Sequence, residues 1–143
     1  MPAMQILPDF YEQLLSGVHN FRTHVFKAVL TNTAPSAASK VLADIAQVGG
    51  GAYTAGGYVL DGVTLSRTGA VAKVAISDEN IAASGGSIGP FRYAVVVNDT
   101  ANGKPLVGYI DRGESITLGD GDNVVLDFDP DKGVVTMEAK SVA

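Results

Sequence analysis

Residues 85–99 read GGSIGPFRYAVVVND, and the kind of fold open to the chain turns on this stretch. Gly85, Ser87 and Gly89 stand at G-x-S-x-G spacing, the pattern of a hydrolase nucleophile elbow. An elbow needs a strand before the serine and a helix after it, so that the hydroxyl stands exposed on a strained turn. Here Pro90 follows at once, and a nearly unbroken apolar run follows Pro90. Proline has no N–H to give a sheet ladder and is tolerated at the first residue of a strand. The stretch is therefore expected to be a glycine turn feeding a buried strand over residues 91–98. Arg92 sits between Phe91 and Tyr93 at the head of that strand, where an unpaired guanidinium would be strongly unfavourable. It must reach an edge, pair with a carboxylate or stack on a ring. A partner contact stays open beside these, because arginine and aromatic residues are enriched at contact hot spots.

Outward from this strand the pattern stays β. Residues 23–32 alternate, with Phe26, Ala28 and Leu30 on one side and Val25, Lys27 and Val29 on the other,. Further strands are expected over 58–66, 70–77, 81–84, 106–111, 115–118, 123–129 and 133–139. Asn102-Gly103, Arg112-Gly113 and Asp120-Gly121 read as turns between them,. About eight strands at spacings near ten residues predict a β-sandwich or barrel. The absence of strand–helix alternation argues against a doubly wound α/β sheet. Two short helices are expected in the amino-terminal half. Asp9 and Glu12 make a capping pattern ahead of the stripe Phe10, Leu14, Val18,. The second, over 39–48 with Val41, Leu42 and Ile45 on one face, is stopped by Gly49, Gly50 and Gly51,. The expected organisation is an arm at 1–8 and one sandwich domain at 9–143.

Composition narrows the function. The 143 residues contain no cysteine, so there is no disulfide framework, no thiolate nucleophile and no Cys-based zinc site,. The formal net charge of −5, with no cluster of Lys and Arg, argues against nucleic-acid binding,. No run of apolar residues is long enough for a membrane span, and residues 1–10 lack the basic and apolar regions of a secretion signal.

Each remaining constellation has a structural reading. Asp127, Asp129, Asp131 and Glu138 fall at positions 1, 3, 5 and 12 of a calcium-loop pattern, but Lys132 stands where such a loop needs glycine,. The favoured reading is a tight hairpin turn, Asp129-Pro130-Asp131-Lys132-Gly133, with a weak cation site left open. The glycine-rich residues 51–57 lack the Lys-Ser/Thr of a phosphate loop, and read as a flexible bend. His19 and His24 are five apart, off the spacing of a helical metal pair,. Asp78 and Glu79, adjacent in a strand, point to opposite faces. No catalytic set, metal site or cofactor site is expected.

The order of segments resembles the virion structural proteins of tailed bacteriophages. The matching stretches are GVHNF at 17–21, KAVLTNTAP at 27–35, YTAGG at 53–57 and ASGGSIGPFRY at 83–93. VNDT at 97–100, PLVGY at 105–109, DFD at 127–129 and Gly133-Val134 complete them. The resemblance implies a capsid cement, or decoration, protein: a jelly-roll-like antiparallel sandwich on the outside of the shell. It would bind the major capsid protein, act as a homodimer, carry no enzymatic activity and be assembled in the bacterial cytoplasm. The alternative is a tail or surface adhesion module that binds host glycan. Sugar platforms favour exposed aromatic rings; Trp is absent and five Tyr remain,.

For the interface, two places stand out. Ile6 and Leu7, in the arm, either dock on a partner or staple onto the first turn of their own helix. Phe91, Arg92 and Tyr93 form the second, and edge strands offer a further template for pairing with another chain.

Overall fold

The computed structural model describes residues 3–50 and 53–140, and the apolar run quoted above is the middle strand of its largest sheet. The elements in order are β1 (Gln5–Ile6), α1 (Pro8–Leu15), β2 (Phe26–Thr31), β3 (Tyr58–Val59), β4 (Thr64–Thr68) and β5 (Val71–Ala75). There follow β6 (Glu79–Ala82), β7 (Ile88–Asn98), β8 (Leu106–Leu118), β9 (Asn123–Leu126) and β10 (Val135–Glu138). All strand pairs are antiparallel. They form a five-stranded sheet in the order β1-β8-β7-β2-β3, a three-stranded sheet β10-β5-β4, and a pair β6-β9.

The centre of the large sheet is covered on both faces, and the sequence pattern of β7 follows from that. Ala94, Val95, Val96 and Val97 are all fully buried. Ala94 and Val96, with Phe26, Ala28, Leu30, Phe91 and Ile110, belong to the main core, which the other sheets and α1 also feed through Val74, Ile81, Leu126 and Phe10. Val29, Val95, Val97 and Leu106 face the other way, onto Leu7 and Ile45. A strand walled on both sides has no solvent face, so it reads as continuous apolar sequence rather than alternation. Burial of one such valine or leucine contributes about 1.5–3 kcal/mol.

Several elements differ from expectation. The helix starts at Pro8, not behind Asp9. Its N-cap is Leu7, which makes no side-chain cap, and proline opens the first turn because its fixed φ suits N1 and its missing N–H is not needed there. At the other end Gly17, at φ 82°, sends its N–H to Leu14 O, and Val18 sends its N–H to Gln13 O. This is a Schellman cap. The second helix reduces to a single 3-10 turn, Leu42–Asp44. Its backbone is claimed by neighbours instead: Leu42 N–H bonds Lys104 O, Leu106 N–H bonds Lys40 O, and Val48 N–H bonds Leu30 O.

Strand expectations shift for similar reasons. Residues 58–66 divide into β3 and β4, which lie in different sheets. Arg112-Gly113 is no turn: β8 runs through it. Tyr93 lies opposite Asp111 and Phe91 opposite Ile116, so β8 spends five residues where β7 spends two. This irregularity lets one strand carry both of the expected pieces. The expected hairpin at 129–133 is a turn, closed by Lys132 and Gly133 N–H groups on Asp129 O. Yet β9 pairs with β6 and β10 with β5, so the turn passes between sheets instead of closing a hairpin.

The segment 1–8 is no free arm from Gln5 onward. β1 pairs with the edge of β8, Gln5 opposite Tyr109 and Ile6 opposite Gly108. Gly108 is required there by proximity: a Cβ at that position would collide with Gln5 O. Residues 1 and 2 lie outside the described residues.

Candidate interface

The unusual strand register at the head of β7 builds a polar and aromatic patch. Arg92 donates from Nε to Asp111 Oδ1 at 2.7 Å and from Nη2 to Asp111 Oδ2 at 3.1 Å, a two-pronged pair of fixed geometry. Asp111 Oδ1 also accepts the Gly113 N–H at 2.8 Å. The Arg92 side chain first, and then the Gly113 amide, hold the Asp111 carboxyl below its ordinary range. The guanidinium carbon of Arg92 lies 5.4 Å from the centre of the Tyr93 ring. Tyr93 meets Tyr109 edge to face at 6.0 Å, and Tyr109 donates its hydroxyl proton to Gln5 Oε1 at 3.2 Å. Tyr93 and Tyr109 are half-buried and Gln5 is exposed. The patch therefore joins β7, β8 and the amino-terminal strand on the best-packed sheet in the molecule.

Of the five residues expected at an interface, two, Arg92 and Tyr93, are partly exposed and lie in the patch. Phe91 is fully buried in the main core, with the Arg112 guanidinium 5.9 Å from its ring centre. Leu7 is 3% exposed and packs in the second cluster, and Ile6 is half-buried against the main core. Their apolar character is spent on their own chain, because β1 lies along the sheet edge and turns Leu7 inward. Tyr109, Asp111 and Gln5 were absent from the expectation. Only the register of β8 against β7 and β1 brings them together, and local sequence carries no sign of it.

The remaining constellations disperse. Ser87 is exposed, preceded by a bend at 85–86 and followed by β7, with no helix after it. His19 and His24 both face Asn98, whose Nδ2 lies 3.1 Å and 2.9 Å from their Nδ1 atoms. Asp78 accepts the Phe128 N–H, while Glu79 is raised above its ordinary range by burial first and by Asp61 second. Of the glycine-rich segment, Gly51 and Ala52 lie outside the described residues. Its remainder is pinned, because the Tyr53 hydroxyl donates to Gln47 Oε1 at 2.6 Å and accepts the Leu30 N–H at 3.2 Å. Burial pushes the Tyr53 phenol up to about 12.

In the Asp-rich turn, Asp127 Oδ1 accepts the Asp129 N–H and the Lys132 ammonium approaches Asp129 Oδ2 at 3.8 Å. A cavity of about 160 Å³ lies between this turn and residues Ala3 and Met4. Among the described residues no three His, Asp or Glu side chains gather where a metal ion could sit, and no helix is long and apolar enough to cross a membrane.

Comparison with known proteins finds no matching family model, no matching curated protein and no matching solved structure.

Proposed function

We propose that this chain is a bacteriophage capsid cement protein that binds the outside of the assembled head and clamps neighbouring major capsid subunits. The observation that carries the reading is the Arg92–Tyr93–Tyr109–Asp111 patch. Arginine and tyrosine are enriched at protein contacts, and here they are oriented beforehand by a two-pronged ion pair on a sheet packed from both faces. A surface ordered before binding loses little further freedom on docking. The resemblance of the segment order to phage virion proteins supports the same role, as does a net charge of −5, which suits the shell exterior rather than the packaged DNA.

On this reading the three sheets form a jelly-roll-like sandwich around the main core, and the protein acts as a homodimer without enzymatic activity, cofactor or nucleic-acid partner. The mechanism is linkage. A protein that binds only correctly assembled neighbours stabilises the assembled state by mass action, and a dimer bridging two capsomers multiplies modest contacts through effective concentration. A glycan-binding module is the second reading. Tyr93 and Tyr109 pack edge to face against each other and are half-buried, where a sugar platform would offer an open ring face.

Particles assembled without the protein should rupture at lower temperature and under milder osmotic shock than complete ones. Adding back the Arg92→Ala, Tyr93→Ala variant should fail to restore them. Equal resilience with and without the protein would end the proposal.

A further inference from the structure

We propose that His19, Asn98 and His24 form an acid-released latch tying the loop between α1 and β2 to the turn that follows β7. The inference does not depend on the cement reading. It starts from Asn98, which is fully buried at the end of β7. Its side-chain oxygen accepts two backbone N–H groups, from Thr100 and Ala101, each at 3.1 Å. A backbone N–H can only donate, so the orientation of this amide is settled by its partners. The remaining atom, Nδ2, carries two protons and faces two ring nitrogens, His19 Nδ1 and His24 Nδ1. Both Nδ1 atoms must therefore accept, which requires both rings to be neutral with the proton on Nε2. The Asn20 N–H, directed at His24 Nδ1 from 3.3 Å, makes the same demand.

A proton on either Nδ1 would set N–H against N–H and break the node. The surroundings give an imidazolium at His19 little to hold it. α1 supplies one carboxylate, Asp9, and the loop supplies His24, while Phe10, Phe21 and Phe26 pack around the ring. β7 supplies neutral Asn98, and the next residue, Asp99, is already paired with Lys27 and Lys104. His19 Nε2 is itself buried without a partner. Burial first, and the His24 charge second, lower the His19 pKa from 6.5 to about 4, against a weaker pull from Asp9.

The sign follows from linkage. The opened loop takes up protons near pH 6.5 and the closed one only near 4, so the latch is at full strength above 6.5 and weakens as pH falls toward 4,. From these two values the opening constant should rise about thirtyfold between pH 8 and pH 5,. Three amides report it: Thr100 and Ala101 on Asn98, and Val25, whose N–H bonds Thr100 Oγ1 at 2.8 Å.

The test uses the whole chain. Nitrogen-15 spectra at pH 8 should show both rings protonated at Nε2 alone. Hydrogen exchange, corrected for intrinsic rates, should show protection at Val25, Thr100 and Ala101 falling about thirtyfold at pH 5 relative to Val95 and Val96 in mid-sheet. An Nδ1–H ring at pH 8, or an equal change at all five amides, overturns the latch. The double variant His19→Gln, His24→Gln keeps acceptors for Asn98 that do not titrate. It should lose the selective acid response, and persistence of that response would overturn the proposal too. If the variant does not fold, the ring spectra and the exchange pattern of the native chain decide.

Discussion

The five-stranded sheet and the three-stranded sheet are both antiparallel, yet they are held together differently. In the first, β2 and β7 bury nearly every residue, from Phe26 to Thr31 and from Ala94 to Asn98. In the second, β4 exposes four of its five residues and β10 exposes three of its four. The small sheet touches the core through Leu65, Val74 and Val135 at one end, and beyond them Arg67, Thr68 and Met137 stand in water. Ladder hydrogen bonds alone contribute modestly, because the unfolded chain bonds water instead. Apolar burial should therefore make the large sheet the stable centre and leave the outer end of the small one free to open locally.

The sharpest way to break this contrast is Phe91→Ala. Truncating a fully buried ring beneath the head of β7 should remove about 3–5 kcal/mol of stability, read from the denaturant midpoint,. Next comes Gly108→Ala. The added methyl cannot coexist with Gln5 O where β1 crosses, so the amino-terminal strand must shift, with an expected loss of about 1–3 kcal/mol. The Leu7 amide, bonded to Val107 O, should exchange faster while mid-sheet amides stay protected. Asp111→Asn should have a smaller effect that fades at high salt, since both side chains of the pair are partly exposed,. Its pH signature is an acid one. A carboxyl held below its ordinary range stabilises the fold above that range, and the contribution disappears as pH falls through the folded-state value,. Smallest of all, Met137→Ala on half-exposed β10 should stay within about 0.5 kcal/mol,. If Phe91→Ala and Met137→Ala shifted the midpoint equally, the two sheets would not differ as described.

The same contrast governs what could be read from the residues. The alternation Phe26, Ala28, Leu30 against Val29 was legible because two faces with two apolar environments impose a period of two. The turn before residue 91 was legible because glycine and proline restrict the backbone locally. Where long-range partners compete with local preference, reading failed. Residues 39–48 have a helical stripe, but strands on either side capture their amides. Arg112-Gly113 has turn chemistry, yet β7 holds both flanks in one ladder. Asp9 has cap chemistry, but Pro8 opens the helix one residue earlier and places Asp9 inside the first turn. For the candidate interface, the need of Arg92 for a partner was visible, but which of 15 acidic residues would meet it was not. The node at Asn98 left no local trace, because its histidines lie more than seventy positions away.

The pairing of Gln5 with Tyr109 also sets an order of events during synthesis. β1 has no ladder partner until β8, about a hundred residues further along the chain, has emerged from the ribosome,. Leu7 likewise meets its full apolar surround only when Val95 and Leu106 have followed Val29 and Ile45. β1 can thus join the large sheet only once β8 is in place, so that edge of the sheet closes after synthesis has passed Tyr109.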